Sequence, residues 1–207
     1  MTAAAVTTVT HESFPNVEAF ETWLTEHGVD TSKFGVGSAK RVDQLYDEVI
    51  AKESTLQLLG GIPYRCLSVA KLVIRAPGRL DHHVKCYQQK MADGRMRDRN
   101  VLPSEKMLAG EVATHAGVRG VLEELGDYVT DRSQVDLIAS SLLIWDEIID
   151  SPSFPTLTTQ YRLHQMEVNV DGLPDVPFKT VEGKKEHFWR WEPDSADDLR
   201  RKEVDEC

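Results

Sequence analysis

Apolar residues recur at helical spacing in two segments near the N-terminus. Asn16 can cap the first segment and Gly28 ends it, while the second segment covers residues 41–54. The apolar positions are Val17, Phe20, Trp23 and Leu24 in the first segment and Val42, Leu45, Tyr46, Val49 and Ile50 in the second. Both segments are predicted to be helices, and residues 1–13 before them a loose tail.

After residue 54 the pattern changes to β-forming residues separated by Gly, Pro and Asp, which predicts strands joined by turns. The predicted strands lie within 54–61, 64–76, 82–91, 158–170 and 186–193. Asp93-Gly94 is a hairpin signal. Residues 135–149 fit either a helix or a buried strand, because a long apolar run suits both.

Residues 112–125 are predicted to form a helix between the strands, and Ser195 can cap a closing helix over residues 195–203. The order of elements therefore predicts an α+β domain. We place its boundary at residue 54, with a tail and helical extension over 1–54 and the main domain over 55–207.

Charge and composition narrow the class of protein. A net charge of -10 argues against a nucleic-acid polymer as partner, and 41% hydrophobic residues suffice for a core. No apolar run approaches the length of a membrane span, and the apolar-tinted start lacks a basic segment, so neither a membrane-spanning segment nor a secretory leader is expected. Its three cysteines are odd in number and lack metal-type spacing, which favours a reducing, cytoplasmic compartment.

The segment 112–125 carries an unusual acidic end. Val118, Val121, Leu122 and Leu125 are predicted to form its buried stripe. Glu123 and Glu124 lie off that stripe at the C-terminal end, where the helix dipole disfavours carboxylates. A bound divalent cation would offset this cost. The alternative is an ordinary acidic face in contact with solvent, which needs no bound cation.

A second stripe has residues spaced by four. Its members are Glu111, His115, Arg119 and Glu123. Arg119 can pair with Glu111 or Glu123 and hold the carboxylates in place. From helical spacing alone, two interpretations stay open: a surface laced with ion pairs and a cation site.

This segment resembles the signature of the Nudix hydrolases, in which a glutamate and an arginine precede an aliphatic residue, two adjacent glutamates and a glycine. The matching residues are Glu111, Arg119, Val121, Glu123, Glu124 and Gly126. Residues 185–199 are also similar to the closing strand and helix of that family. The resemblance implies a Nudix-like mixed β-sheet sandwiched by helices.

Three positions depart from the family pattern. Glu105 stands where the signature has glycine, Asp127 where it has an aliphatic residue, and Gly120 where it has a glutamate of the metal site. A glycine inside a helix suggests close approach of another chain segment or of a ligand. The missing oxygen donor has four candidates, namely Glu105, Glu111, Glu186 and Glu192.

The resemblance implies hydrolysis of a diphosphate linkage in a small nucleoside-diphosphate-type compound, with Mg²⁺ or Mn²⁺. Glu111, Glu123 and Glu124 are then the expected metal ligands. Arg119 would orient the glutamates, and Glu186 would accept the proton from water. Nudix-like proteins often pair, so a homodimer is also expected.

Basic residues near this segment could attract the phosphates of the substrate, namely Arg95, Arg97, Arg99 and Lys106, and of these Arg97, Arg99 and Lys106 are the predicted binding residues; the alternative is a solvated hairpin. A second hypothesis is a catalytically impaired Nudix-like domain that acts as a ligand-binding or protein-interaction module, which Gly120 favours. A third is an unrelated α+β domain whose acidic helix matches by chance.

Overall fold

The computed structural model describes residues 6–195 and residue 199, and it shows the predicted α+β fold. The helices are α1 (Val17–Glu26), α2 (Val42–Ile50) and α3 (Ala113–Glu124). The strands are β1 (Val6–Val9), β2 (Thr55–Leu59), β3 (Ile62–Arg75), β4 (His82–Lys90), β5 (Met96–Val101), β6 (Ser104–Lys106), β7 (Val135–Asp150), β8 (Thr158–Val170), β9 (Phe178–Glu182) and β10 (Lys185–Pro193).

The two N-terminal helices form where the apolar spacing predicts them. Asn16 caps α1, because its Oδ1 accepts a hydrogen bond from the Ala19 N–H at 2.9 Å. Residues 6–9, predicted as part of a loose tail, instead form β1 antiparallel to β2. A strand of four residues carries too little alternation to be recognised in the sequence.

The strands of the described residues form two sheets. The first has the order β1-β2-β3-β8-β7 with β6 beside β3, and the second has the order β5-β4-β10-β9. The open question over residues 135–149 is resolved as strand β7, the neighbour of β8. Strands β6 and β9 were not predicted, because they are short and lie between turns.

The chain divides into two compact units. The first contains residues up to 68, 106–110 and 145–162, and the second contains 69–105, 111–144 and those from 163 onward. The boundary at residue 54 remains a prediction. The closing helix predicted from Ser195 lies largely outside the described residues. No described helix is both long and apolar enough to cross a bilayer.

The core of the first unit joins α1, α2 and the segment before β8. Its buried side chains are Phe14, Phe20, Leu24, Val29, Phe34, Val42, Leu45, Val49, Leu56, Phe154 and Leu157. Phe14 meets Phe20 edge-on with ring centroids 5.1 Å apart. Most of the predicted apolar positions of both helices therefore build one shared core, whereas Ile50 at the end of α2 is 45% exposed.

A buried carboxylate organises the polar interior of this first unit. Glu48 on α2 is 5% exposed, and its oxygens lie 2.6 Å from nitrogens of Lys40, Lys106 and Arg65. Burial alone would raise the pKa of Glu48, but the three cations outweigh it and lower that pKa to about 2. The network therefore stabilises the first unit only while Glu48 is ionised.

We expect acid to weaken the first unit as Glu48 takes up a proton. Its pKa falls from an ordinary 4.5 to about 2 on folding, so the stabilisation is complete above 4.5 and is lost as the pH drops toward 2. That difference corresponds to about 3 kcal/mol. Denaturant unfolding from neutral to acidic pH should show this loss in wild type and not in Glu48→Gln, which should already be less stable at neutral pH.

The matched control is Glu53→Gln, because Glu53 also pairs with Lys106 but is 36% exposed. Its stability should follow the wild-type dependence on pH. An acid profile of Glu48→Gln that coincides with wild type would contradict the role given to this carboxylate.

Candidate functional site

Helix α3 forms at the predicted place but buries a different stripe. Val121 and Leu125 are buried as predicted, whereas Val118 and Leu122 are only half-buried. The rest of the buried face consists of small residues, namely Ala113, Ala116, Gly117 and Gly120. A Cβ added at Gly117 would lie 3.0 Å from the Met166 Sδ, so the small residues let the helix approach its neighbours closely.

Three carboxylates surround the guanidinium of Arg119. Glu111 engages it with both oxygens, Oε1 at 3.2 Å from Nε and Oε2 at 2.9 Å from Nη2. Nη1 donates to Glu105 Oε1 at 2.9 Å and lies 3.5 Å from Glu123 Oε1. We call these four residues the Arg119 cluster. Arg119 pairs with Glu111 and Glu123 as predicted, and Glu105 is a partner that helical spacing could not indicate.

The Arg119 cluster carries more negative charge than its guanidinium neutralises. Three ionised carboxylates against one cation leave a formal charge of −2. Burial raises the pKa of Glu105, Arg119 opposes that rise, and Glu123 and Glu124 add to it. The hydrogen bond to Glu111 is the main cause that raises the pKa of Arg119, so the guanidinium stays charged. The excess charge favours a further cation.

Two other positions of the Nudix-like segment have steric or bonding explanations. A Cβ at Gly126 would lie 2.7 Å from the Leu122 carbonyl oxygen, so only glycine fits as the chain leaves α3. Asp127 departs from the family pattern because its Oδ2 accepts a hydrogen bond from the Val181 N–H at 2.8 Å. That bond ties the end of α3 to β9.

Glu124 takes part in a separate group of side chains. Its Oε2 lies 2.7 Å from Nδ1 of His187 on β10, and Glu182 on β9 lies 3.3 Å from the other ring nitrogen, Nε2. The amide group of Gln89 on β4 lies 3.0 Å from Nε2, and a protonated imidazole requires the amide oxygen on that side as acceptor. We call these four residues the His187 cluster. The Glu124 Oε2 is buried and forms no well-aligned hydrogen bond. It therefore contacts His187 as an ion pair and can still accept a hydrogen bond or a metal ion.

Ligand atoms of Glu124, Glu182 and His187 lie within 4.8 Å of one another, close enough for a shared metal ion. The two carboxylates, however, approach opposite nitrogens of the imidazole ring. The lone pairs of those nitrogens diverge, so one ion cannot use both directions. The geometry suits a protonated imidazole that bridges two carboxylates.

The protonation of His187 agrees with that geometry. Burial lowers the pKa of its imidazole, but Glu124 and Glu182 outweigh burial and raise the pKa to about 9. Sequence reasoning did not select His187. The sequence carried one signal, because His187 alternates with Trp189 in the predicted strand over 186–193 and so shares a face with it; both prove to be buried. A histidine at a buried strand position needs a polar partner.

Arg97 and Arg99 lie on the sheet face that holds His187. Arg97 is opposite Gln89 in the β4–β5 register, and Gln89 is opposite His187 in the β4–β10 register. Arg99 follows two residues later, where the β4–β5 register becomes irregular, and its charge acts on the thiol of Cys86, which lies opposite Trp189 on β10. Burial, and then Arg99, lower the pKa of Arg97. Within the described residues neither arginine forms an ion pair, so both can attract an anion.

The other predicted residues have different surroundings. Lys106 belongs to the first unit, where it lies 2.6 Å from Glu48 and 2.7 Å from Glu53. Glu186 pairs with Lys90 at 2.8 Å and Lys179 at 2.9 Å. Those lysines lower the pKa of Glu186 to about 2, which makes it a weak proton acceptor.

An open depression of about 730 Å³ lies between α3 and β7. A volume of this order accommodates a small molecule. Its lining residues are Thr114, His115, Val118, Arg119, Leu122, Glu123, Arg132, Leu137 and Ala139. The half-buried Val118 and Leu122 therefore give it an apolar wall, and Arg119 and Glu123 connect it to the Arg119 cluster.

No protein-family model and no curated protein matches the sequence. Among solved structures, a binary complex of C. elegans Ap4A hydrolase is 16% identical with a TM-score of 0.35, over 61% of this chain and 80% of that chain. A Nudix hydrolase from M. smegmatis, RenU, is 14% identical with a TM-score of 0.30, over 60% of this chain and 68% of that chain. Scores this low do not establish a shared fold.

We expect His187 to be needed to hold Glu124 in its half-buried position. In His187→Ala, Glu124 loses its cationic partner while its side chain stays only 19% exposed. Breaking a buried ion pair in this way costs about 3 kcal/mol or more. Thermal unfolding in EDTA at neutral pH should therefore show a markedly lower Tm.

Glu182→Gln is the matched control, because the Glu182 carboxylate is 41% exposed and water can replace its contact. Its Tm should fall much less. Equal losses in the two variants would count against a special role for the pairing of His187 with Glu124.

Proposed function

We propose that this protein is a Nudix-like, metal-dependent hydrolase of a diphosphate linkage in a small nucleoside-diphosphate-type compound. The observation that carries the proposal is the gathering of Glu105, Glu111 and Glu123 around Arg119. These residues meet on the segment whose sequence resembles the Nudix signature. A surface laced with ion pairs would balance its charges, whereas this cluster keeps a negative excess.

The chemistry of the donor set fits Mg²⁺ or Mn²⁺. All the donors are carboxylate oxygens, the ligands that hard divalent cations prefer. Glu123 is 49% exposed and Glu124 keeps a buried oxygen without an aligned hydrogen bond, so both have acceptor capacity. Glu111 would add a carboxylate oxygen beside them. Such a cation neutralises phosphate charge and lowers the pKa of a bound water.

The remaining residues orient the carboxylates and attract the substrate. Arg119 fixes Glu111 with two bonds, so it acts as a positioning residue. Arg97 and Arg99 supply positive charge on the face of His187, which suits the phosphate groups of an anionic substrate. Lys106 is held by Glu48 and Glu53, so we assign it to the network of the first unit. The low pKa of Glu186 argues against its predicted role as proton acceptor.

The second hypothesis, a catalytically impaired binding module, depends on Gly120. A Cβ at that position would lie 2.7 Å from the Cβ of Glu105. Gly120 therefore has a steric cause, which is the approach of another segment of the chain. That explanation accounts for the glycine, while α3 itself still has no carboxylate at this position.

We expect Glu123→Gln and Glu124→Gln each to abolish phosphate release, because each removes a charged oxygen donor while keeping the side-chain volume. The measurement is release of phosphate from a panel of nucleoside diphosphate compounds with Mg²⁺, together with the rise in Tm that Mn²⁺ causes. The matched control is Glu26→Gln, because Glu26 also ends a helix but belongs to α1. Full activity in Glu123→Gln and Glu124→Gln would refute the proposed site.

We expect Arg97→Ala and Arg99→Ala to raise KM at least about tenfold, because each loses a charge-assisted contact to phosphate. The affinity for substrate should also become less dependent on salt. The control is Arg95→Ala, since Arg95 is exposed on the same hairpin and pairs with Asp93 at 2.7 Å. If Arg95→Ala has the same effect on KM as the other two, the assignment of phosphate binding to the face of His187 is wrong.

A further inference from the structure

Positions 105 and 120 are sterically exclusive. An ideal Cβ at Gly120 would lie 2.7 Å from the Cβ of Glu105 and 3.3 Å from its Cγ. The closer atom is a Cβ, fixed by the backbone of β6, so it cannot swing away as the tip of a long side chain can. As long as Glu105 occupies this position on β6, residue 120 has to be glycine.

The side chain of Glu105 crosses the space beside Gly120 and ends on the charged face of α3. Its carboxylate is 19% exposed and accepts a hydrogen bond from Arg119 Nη1 at 2.9 Å. Glu123 lies 3.5 Å from the same Nη1. One guanidinium nitrogen thus places a carboxylate from β6 beside a carboxylate from α3.

The Glu105 carboxylate lies on the acidic side of α3, where Glu111 and Glu123 contact the same guanidinium. Leu72 Cδ1 lies 3.6 Å from the ideal Cβ of residue 120, so one side of this space is apolar. A carboxylate between this apolar side and the acidic residues of α3 can donate an oxygen to a cation that those residues bind.

We propose that Glu105 supplies the carboxylate that α3 lacks at Gly120, and that it donates an oxygen to the divalent cation held by Glu123 and Glu124. Relative to the Nudix signature, a glutamate stands on β6 where the signature has glycine, and a glycine stands on α3 where the signature has glutamate. This inference rests on the proposed function, because it assigns a further ligand to the same metal site.

The test measures Mn²⁺ affinity without substrate, from the electron paramagnetic resonance signal of free Mn²⁺. Glu105→Gln should bind Mn²⁺ at least about tenfold more weakly than wild type. Gly120→Glu alone should lower the Tm in EDTA, because its side chain meets that of Glu105. The double variant Glu105→Gly with Gly120→Glu should recover the Tm and most of the Mn²⁺ affinity, since it restores the usual order.

The matched control is Glu53→Gln, another partly exposed glutamate bound to one lysine, which should leave Mn²⁺ affinity unchanged. Wild-type protein that binds no Mn²⁺ overturns the proposed function and this inference together. Wild-type affinity in Glu105→Gln overturns the inference alone. If Glu105→Gln proves unfolded in EDTA, the double variant decides between the two outcomes. A folded double variant that binds Mn²⁺ supports the exchange. A folded double variant that does not bind Mn²⁺, or one as unstable as Gly120→Glu, overturns it.

Discussion

The ion pairs of Arg119 are the constraint on which the candidate site depends. Carboxylates repel one another, and at the C-terminal end of a helix they also face an unfavourable dipole. The planar guanidinium donates to Glu111 through Nε and Nη2 and to Glu105 through Nη1, and Glu123 lies 3.5 Å from Nη1, so three acidic groups can share one small region. A lysine, with a single charged nitrogen, could not keep these directions apart. The segment can therefore concentrate negative charge and still fold.

The adjacent residues Glu123 and Glu124 lie in different surroundings, because neighbouring side chains on a helix point about 100° apart. Glu123 belongs to the Arg119 cluster and lines the open depression, whereas Glu124 contacts the imidazole of His187. The protonated imidazole and the two arginines of β5 make the sheet face positive beside these carboxylates. In this arrangement a cation would bind to the carboxylates, and phosphate groups would bind to the arginines. Each would then contact groups of opposite charge.

The fold class, the three helices and most long strands could be predicted from apolar periodicity, since each presents a face to a core. Short strands such as Val6–Val9 could not, because pairing rather than pattern defines them. The pairing of Arg119 was visible in helical spacing. The approach of Glu105 to Gly120 was not, because it joins a strand to a helix. The contacts of His187 with Glu124 and Glu182 likewise join separate elements, and only the burial of His187 carried a signal.

The most direct test of the site is a crystal structure of the protein soaked with Mn²⁺, with the ion located by its anomalous scattering. The account predicts a peak in contact with carboxylate oxygens of Glu123 and Glu124, at about 2 Å from each ligand oxygen. A Mn²⁺ ion bound only elsewhere, or no ion at these carboxylates at millimolar metal, would contradict it.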